Sequence, residues 1–235
     1  MIQAPSWVPG TFVSRLDSDT REELMSLGRR LEFPAGTVLL RQGSLQTTVL
    51  VLTTARSSDL ACVKIVLTAE DGHESLLGIR TSGDLIGDMA ALSEQPRTAT
   101  AKTCRPTAVQ KISHGEFTAF LKRRPDAEVG IKRMLVDRLS QADRQRQEFI
   151  RYDGPTRLAR MMVELADRFG RAGEHGLVVG VELSQREWGH LIGAGEESVR
   201  RAMRRLRDLD LVVPRYRDVT VVDLAGLRRF GHLKE

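Results

Sequence analysis

A helix-start signal, a glycine turn and an arginine-rich helix follow one another between Leu183 and Val212, and this succession constrains the fold more than any other feature. Ser184 and Glu187 have the spacing of a capping box, in which each side chain satisfies a free backbone amide at a helix start. The helix ends at residues 193–195, Gly-Ala-Gly, a turn short enough to set two helices at a steep angle. This segment therefore predicts a helix-turn-helix.

The second helix of this segment has an apolar face and a charged face. Its apolar residues recur at intervals of three or four positions: Val199, Ala202, Met203, Leu206 and Leu209. This spacing predicts one continuous buried face. The other side of the helix carries Glu197, Arg200, Arg201, Arg204 and Arg205. Guanidinium and carboxylate groups on a helix anchored in this way suit it to read base edges and phosphates in the major groove of DNA.

A short hairpin is expected after this helix. The apolar pair Val212 and Val213 is followed by the polar stretch 214–218 and then by a second apolar stretch, 219–222. This pattern predicts two strands joined by a turn. Arg215, Tyr216 and Arg217 lie at its tip, and such a wing would contact the DNA backbone, with Arg217 as the candidate contact.

The first half of the chain has a different character. Its short apolar runs, separated by Gly, Ser and Asp, cover residues 38–40, 48–53, 61–67, 75–79 and 109–112. These runs predict a β-rich barrel or roll. A helix is expected before them over 18–31, and a strand pair is expected around 177–183.

A long helix is expected between these two halves, over 125–152, because Pro125 can begin a helix and apolar residues follow near one stripe. The stripe packs either on the roll or on the same helix of a second chain, and the second arrangement is favoured. Asp153, Gly154 and Pro155 interrupt the helix. The predicted division is therefore 1–124, 125–152 and 153–235.

Residues 83–100, GDLIGDMAALSEQPRTAT, are too irregular for an ordinary strand or amphipathic helix. Gly83 and Gly87 permit close backbone approaches. Asp88, Arg97 and Thr98 supply an acceptor, a planar cation and a hydroxyl group. Such a set suits a small phosphorylated ligand; the alternative is a surface turn followed by a short helix over 89–92.

Composition excludes several classes of protein. The formal net charge of +5 permits nucleic-acid binding without requiring it. No apolar run reaches about 18 residues, so a soluble, cytoplasmic protein without a membrane span is expected. Cys62 and Cys104 lie in unrelated contexts and are expected to be small buried residues rather than ligands of zinc or of a cluster. The histidines have no metal-ligand spacing, and no nucleophile–base pair indicates an enzyme.

A roll, a long helix, a hinge and a winged helix-turn-helix in this order resemble the catabolite activator family of bacterial transcription regulators, named for the cyclic AMP receptor protein and the fumarate and nitrate reduction regulator. The resemblance covers residues 11–222. It implies an α+β fold with an N-terminal cyclic-nucleotide-binding β-roll, a dimerisation helix over 125–152 and a C-terminal DNA-binding domain over 153–235.

By this resemblance, residues 83–100 are similar to the family's phosphate-binding cassette. Gly87 and the following backbone, including Met89, would approach the cyclic phosphate, Arg97 would pair with its charge, and Thr98 would donate to it. Asp88 stands in place of a glutamate that accepts from a ribose hydroxyl. On the long helix, Ala142 and Asp143 stand where the cyclic AMP receptor has two hydroxyl residues that contact adenine.

Asp143 suits the amino group of adenine or the N1 and N2 protons of guanine, so three alternatives stay open. The allosteric ligand is cyclic AMP, which family frequency favours, or cyclic GMP or another nucleotide, or the pocket is degenerate and binds none. A nucleotide-processing enzyme is a remote alternative.

The resemblance also assigns the DNA-binding residues. Glu197 and Arg201 match the family's base-reading pair, and Glu196 stands where the cyclic AMP receptor has a guanine-reading arginine, which implies a different half-site. Arg200 would reach a base or a phosphate. Gln185, Arg186 and Ser198 are the expected phosphate contacts. The implied partners are a second copy of the chain and an inverted-repeat operator in double-stranded DNA, and the resemblance admits RNA polymerase as a further partner.

Overall fold

The computed structural model describes residues 7–55, 60–216 and 218–234. The chain separates into two compact units, Met1–Leu139 and Ser140–Glu235. Their boundary lies within the long helix, and the three-part division at residues 125 and 153 stays a prediction. No helix in the described ranges has the length and apolar character needed to cross a membrane.

The described residues of the first unit form eight strands and several helices. Its strands are β1 (Arg29–Phe33), β2 (Val38–Leu40), β3 (Val49–Thr53), β4 (Cys62–Thr68), β5 (Glu74–Thr81), β6 (Leu85–Ile86), β7 (Thr100–Thr103) and β8 (Thr107–Ile112). Its helices are α1 (Ser18–Ser26), α2 (Asp88–Ser93), α3 (His114–Arg123) and α4 (Pro125–Arg151), of which α4 ends in the second unit. The mixture confirms the α+β class.

Two antiparallel sheets form a roll in this unit, with strand orders β1-β8-β3-β6 and β2-β7-β4-β5. Strand β3 is buried on both faces because its alternate side chains enter two different cores. Leu50 and Leu52 pack between the sheets with Val63 and Val109. Val49 and Val51 instead face a second core that includes Phe117 of α3 and Ile131 of α4. This second core fixes the first part of α4 on the roll.

The expected helix over 18–31 was too long. Helix α1 ends at Ser26, and the next residues form β1, which pairs with β8 from Arg29 opposite Lys111 onward. Gly28 makes the transition with a φ of +59°. A Cβ at this position would lie 2.0 Å from the carbonyl oxygen of Lys111, so the close approach of the two strands requires glycine.

The predicted apolar runs coincide with β2, β3, β4, β5 and β8, whereas β1, β6 and β7 were not predicted.

A second correction concerns the cysteines. Cys62 and Cys104 are not in unrelated surroundings, because the amide of Cys104 donates to the carbonyl of Cys62 at 2.7 Å. Cys62 is buried as expected, whereas Cys104 is only half-buried.

Helix α4 confirms the predicted long helix and has both apolar contacts and apolar exposure. Ala127, Ile131 and Met134 pack on the roll, which is one of the two arrangements that the sequence left open. Other large apolar residues of the helix stay exposed: Val129, Val136, Leu139, Phe149 and Ile150. The roll therefore covers only part of the apolar surface of α4.

In the part of the second unit that the structure describes, there are four further helices and a small sheet. Its helices are α5 (Gly154–Phe169), α6 (Gln185–Ile192), α7 (Glu196–Asp208) and α8 (Leu224–Phe230). Its strands are β9 (Arg171–Gly173), β10 (Gly176–Val178), β11 (Val212–Arg215) and β12 (Asp218–Val221), in the sheet order β11-β12-β10-β9. The strand pair expected around 177–183 is thus displaced: β10 pairs with β9 through a turn within the glycine-rich stretch.

The predicted interruption after the long helix is also present. Helix α4 ends at Arg151 and α5 starts at Gly154. The carboxylate of Asp153 caps α5 by accepting from the amide of Thr156 at 2.9 Å. The hydrogen bonds from Thr156 lower the pKa of Asp153, against an opposing effect of burial. The charged form of Asp153 therefore stabilises the start of α5.

Candidate functional site

Gly87 sets the backbone geometry of the cassette in the first unit. It precedes α2 in the left-handed region, with a φ of +80°, and a Cβ there would lie 2.3 Å from Nη1 of Arg97 and 2.8 Å from the carbonyl oxygen of Thr48. Only glycine allows both neighbours to approach so closely. The close approach expected at Gly87 is therefore that of the Arg97 guanidinium and the Thr48 carbonyl.

The guanidinium of Arg97 is buried within the cassette, and only 4% of the residue is exposed. Its Nη1 donates to the carbonyl of Gly87 at 2.6 Å, and its Nη2 donates to the carbonyl of Thr48 at 2.5 Å. Its Nε–H has no hydrogen-bond partner among the described residues. Burial lowers the pKa of Arg97, and the neighbouring Asp88 opposes this effect. A buried cation with an unused donor is suited to an anion.

Asp88 is buried beside Arg97 and is bound to the long helix. Its Oδ2 accepts from Nη1 of Arg138 at 2.7 Å, and Nη2 of Arg138 donates to the carbonyl of Leu85 at 2.8 Å. Only 4% of the Asp88 side chain and 20% of the Arg138 side chain are exposed. Such a pair is costly to break on one side only. The cassette carboxylate is thus held by a residue of α4.

A cavity of about 90 Å³ lies at this place, and its walls include the predicted ligand residues of the first unit: Gly87, Asp88, Met89, Arg97 and Thr98. Arg80 and Arg138 also line it, so three arginines face one carboxylate. Ligand sites for small molecules measure about 300–1,000 Å³. The enclosed part of this site is thus smaller than a typical ligand site.

Two predicted ligand residues are not among those that line this cavity. Ala142 and Asp143 belong to the second unit, where both are exposed on α4. Their contact with a ligand stays a prediction. Conversely, Arg80 and Arg138 were not among the predicted ligand residues. Arg138 was recognisable in the sequence only as a charge that interrupts the apolar stripe of the long helix.

The second unit contains the predicted helix-turn-helix. The hydroxyl of Ser184 accepts from the amide of Glu187 at 3.2 Å, while the amide of Ser184 donates to the Glu187 carboxylate at 2.8 Å. Helix α6 ends at Gly193, whose φ is +62°. Helix α7 then buries Val199, Ala202, Met203 and Leu206. The capping box and the glycine turn are confirmed, and so is the apolar face except for Leu209, which follows the end of α7 and is 51% exposed.

The exposed face of α7 carries linked charges. Arg200 donates to the carboxylate of Glu197 at 2.8 Å, and Arg201 donates to the hydroxyl of Ser198 at 3.3 Å. The hydrogen bond from Arg200 lowers the pKa of Glu197, which is therefore anionic at neutral pH. Arg204 is exposed on the same helix. Donors and an acceptor are thus held side by side on an accessible surface.

Arg205 has different surroundings. Its guanidinium lies 3.5 Å from the carboxylate of Asp153, at the start of α5, and stacks over the ring of Phe230 at 5.5 Å. These contacts connect α7 to the start of α5 and to α8. They give Arg205 a structural role, and its predicted contact with DNA stays a prediction.

The other predicted DNA-binding residues surround α7. Glu196 begins α7, whereas Gln185 and Arg186 begin α6. The predicted wing is formed by β11 and β12, with Arg215 opposite Asp218. Tyr216 is 91% exposed at its tip. Arg217 lies outside the described residues.

Comparison with known proteins matches both units to families. Residues 30–124 match the model of the cyclic nucleotide-binding domain, and residues 156–230 match that of the Crp-like helix-turn-helix domain. A CRP-like cAMP-activated global transcriptional regulator of Mycobacterium tuberculosis is 28% identical over 173 residues, which cover 74% of this chain and 75% of the relative. The cAMP-activated global transcriptional regulator CRP of Salmonella typhimurium is 23% identical over 182 residues, which cover 77% and 83% of the two chains.

Solved structures show the same fold. The c-di-GMP responsive global regulator CLP of Xanthomonas campestris has a TM-score of 0.71 at 21% identity, and the match covers 88% of this chain and 100% of that chain. A CRP-family transcriptional regulator of Thermus thermophilus also has a TM-score of 0.71, at 22% identity, with 86% and 96% of the two chains covered.

Proposed function

Because this chain belongs to the CRP/FNR family of bacterial transcription regulators, we propose that it binds DNA sequence-specifically as a homodimer under the control of a small nucleotide. The observation that carries the proposal is helix α7, which buries one apolar face and exposes glutamates and arginines on the other. An anchored helix with such a surface fits the major groove of DNA.

The exposed groups of α7 match the chemistry of base recognition. Arg201 and Arg200 supply planar donors for the O6 and N7 acceptors of guanine, and Glu197 supplies an acceptor for the amino group of cytosine. The hydrogen bonds from Arg200 to Glu197 and from Arg201 to Ser198 restrict these side chains before DNA arrives. Pre-ordering of this kind lowers the entropic cost of binding.

Helix α4 supports the homodimer. Val129 and Val136 are 45% and 60% exposed, and Leu139 is 65% exposed. The two valines are seven positions apart, with Leu139 three positions beyond Val136, a spacing that suits helix-on-helix packing with a second copy. Contiguous apolar surface of this kind marks an interaction site. The operator should then be an inverted repeat with half-sites roughly 34 Å apart.

Selection from a library of randomised DNA duplexes tests the proposed DNA binding. The purified protein should enrich an inverted repeat, and should do so more strongly in the presence of cyclic AMP or cyclic GMP than without nucleotide. Recovery of single half-sites would contradict the two-fold dimer. Enrichment of no sequence under any of these conditions would overturn sequence-specific binding.

For the ligand we propose an anionic nucleotide, with cyclic AMP first and cyclic GMP as the alternative. The three arginines that line the cavity suit a phosphate. The two named relatives are cAMP-activated. The structurally similar regulator CLP is c-di-GMP responsive, so proteins with this fold respond to more than one nucleotide. Because the enclosed part of the cavity is only about 90 Å³, we expect binding to be accompanied by expansion of its walls.

Arg138 would connect this expansion of the cavity to the long helix. A ribose hydroxyl that donates to Oδ2 of Asp88 would compete with the hydrogen bond from Arg138, and Arg138 lies on α4. Ligand binding would thereby favour one position of α4, and the affinity for DNA would change by as much as the ligand prefers that state. Asp143 stays a second candidate link on the same helix.

Calorimetric titration with cyclic AMP and cyclic GMP tests the ligand. Arg97→Ala should weaken the binding of the favoured nucleotide by about tenfold or more, because a charge-assisted hydrogen bond is lost. Arg29→Ala is the matched control, since Arg29 is exposed on β1; its affinity should equal that of the unaltered protein. Equal weakening in both variants would refute the role of Arg97, and absence of binding to either nucleotide would favour the degenerate pocket.

A further inference from the structure

Cys62 and Cys104 form a cross-strand pair in the roll. Strands β4 and β7 are antiparallel, with Val63 opposite Thr103, so the same register places Cys62 opposite Cys104. The amide of Cys104 donates to the carbonyl of Cys62 at 2.7 Å. Residues opposite each other in antiparallel strands have Cα atoms about 4.5–5.5 Å apart. Disulfides join Cα atoms that are about 4.4–6.8 Å apart, so the backbone can hold this bridge.

The side chains of the pair also meet. The thiol of Cys62 donates a hydrogen bond to the sulfur of Cys104, which raises the pKa of Cys62 and lowers the pKa of Cys104. Burial raises the pKa of both thiols and the positive charges of Lys64 and Arg105 lower both, so the contact between the two sulfurs is what separates them. Cys104 is half-buried and Cys62 is fully buried. Cys104 therefore has the thiolate character and the access of a reactive cysteine, and Cys62 has neither.

We propose that Cys62 and Cys104 form an oxidation site at which hydrogen peroxide converts the two thiols into an intramolecular disulfide. The Cys104 thiolate attacks one peroxide oxygen, the O–O bond breaks, and the departing hydroxide takes a proton to become water. Cys104 is then a sulfenic acid. The sulfur of Cys62 attacks the sulfur of Cys104, the S–O bond breaks, and hydroxide leaves with the Cys62 proton as a second water. The sulfurs lose two electrons and the peroxide gains two.

The place of the bridge in the chain gives it a consequence for the cassette. The disulfide closes a loop from β4 to the end of β7 that contains Gly87, Asp88, Arg97 and Thr98. A covalent link at the ends of this loop restricts the unfolded chain and thereby stabilises the folded form of the loop. Oxidation therefore acts on the segment that lines the cavity, while the assignment of the oxidation site itself does not depend on any ligand.

The test uses the full-length protein, freed of reductant and treated with hydrogen peroxide. Its thiols are counted after denaturation, and its intact mass and non-reducing electrophoretic mobility are recorded. We expect both thiols to disappear, the mass to fall by two hydrogen atoms, the chain to stay monomeric on the gel, and a reductant to reverse the change. Two remaining thiols, or a bridge between two chains, would overturn the proposal.

Single variants assign the roles of the two cysteines. In Cys62→Ala the sulfenic acid of Cys104 should persist and be captured by dimedone, whereas in Cys104→Ser the buried Cys62 thiol should stay reduced. Cys62→Ser serves as a second variant if alanine disturbs the fold, and circular dichroism verifies each of them. Dimedone capture at Cys62 rather than at Cys104 would refute the assigned order of the two steps.

Discussion

Alanine in place of Gly87 is expected to lower the free energy of unfolding of the first unit by about 1–3 kcal/mol and to remove nucleotide binding together with it. The left-handed backbone at this position is unfavourable for alanine, and the added Cβ would lie 2.8 Å from the carbonyl oxygen of Thr48. Nη1 of Arg97, 2.3 Å from the same Cβ, would have to move as well. Urea denaturation and nucleotide titration measure the two effects.

Gly115→Ala is the matched control for this change. Gly115 lies in the first turn of α3, and a Cβ there would meet nothing within 4 Å. Because alanine favours helices, the control should gain about 0.5–1 kcal/mol and keep its affinity for nucleotide. If Gly87→Ala were as stable as the control, the tight packing of Arg97 against Gly87 would be disproved. If it were unstable yet bound nucleotide normally, the cassette would not be the ligand site.

Arg201→Ala is expected to weaken binding to the selected operator by about 5- to 150-fold, the range of one bidentate contact between arginine and guanine. Arg201 is exposed on α7, and its side chain donates a hydrogen bond to the hydroxyl of Ser198 at 3.3 Å. The substitution therefore removes a donor without disturbing the buried face of the helix. Titration of a fluorescent operator at fixed salt concentration measures the change.

A comparison of operator DNA with random DNA distinguishes a base contact of Arg201 from a general electrostatic effect. Arg171→Ala, on exposed β9, removes the same charge from the same unit and should change operator affinity by less than about twofold. Random DNA should bind Arg201→Ala nearly as well as it binds the unaltered protein. An equal loss for operator and random DNA would show that Arg201 contacts phosphate rather than a base.

The sequence predicted the second unit well because its signals are local. The capping box needs only Ser184 and Glu187, and the buried face of α7 follows from residues three and four positions apart. Gly87 and Arg97 were identified from residue type, since glycine permits a close backbone approach and arginine supplies a planar cation. Neighbouring residues alone determine the capping box and the buried face of α7.

Long-range pairing determines what the sequence did not predict. Asp88 was predicted to face a ligand, but its partner Arg138 is fifty positions away on another element. The pairing of Cys62 with Cys104 depends on the register of β4 with β7. Similarly, the residues after Gly28 continue a plausible helical pattern, and only β8 makes them a strand. Tertiary contacts override local preference in each of these cases.

Arg97 and Asp88 are each already hydrogen-bonded within the protein, and this affects the rate at which a nucleotide could bind. Under the proposed function, a nucleotide meets a guanidinium already bonded to the carbonyls of Gly87 and Thr48 and a carboxylate already held by Arg138. Binding then proceeds only as fast as these contacts open, which slows association below the diffusional limit. At high nucleotide concentration the observed association rate no longer rises with concentration, because the opening of these contacts limits it. The regulator would thus average over brief fluctuations in nucleotide concentration and respond to sustained ones.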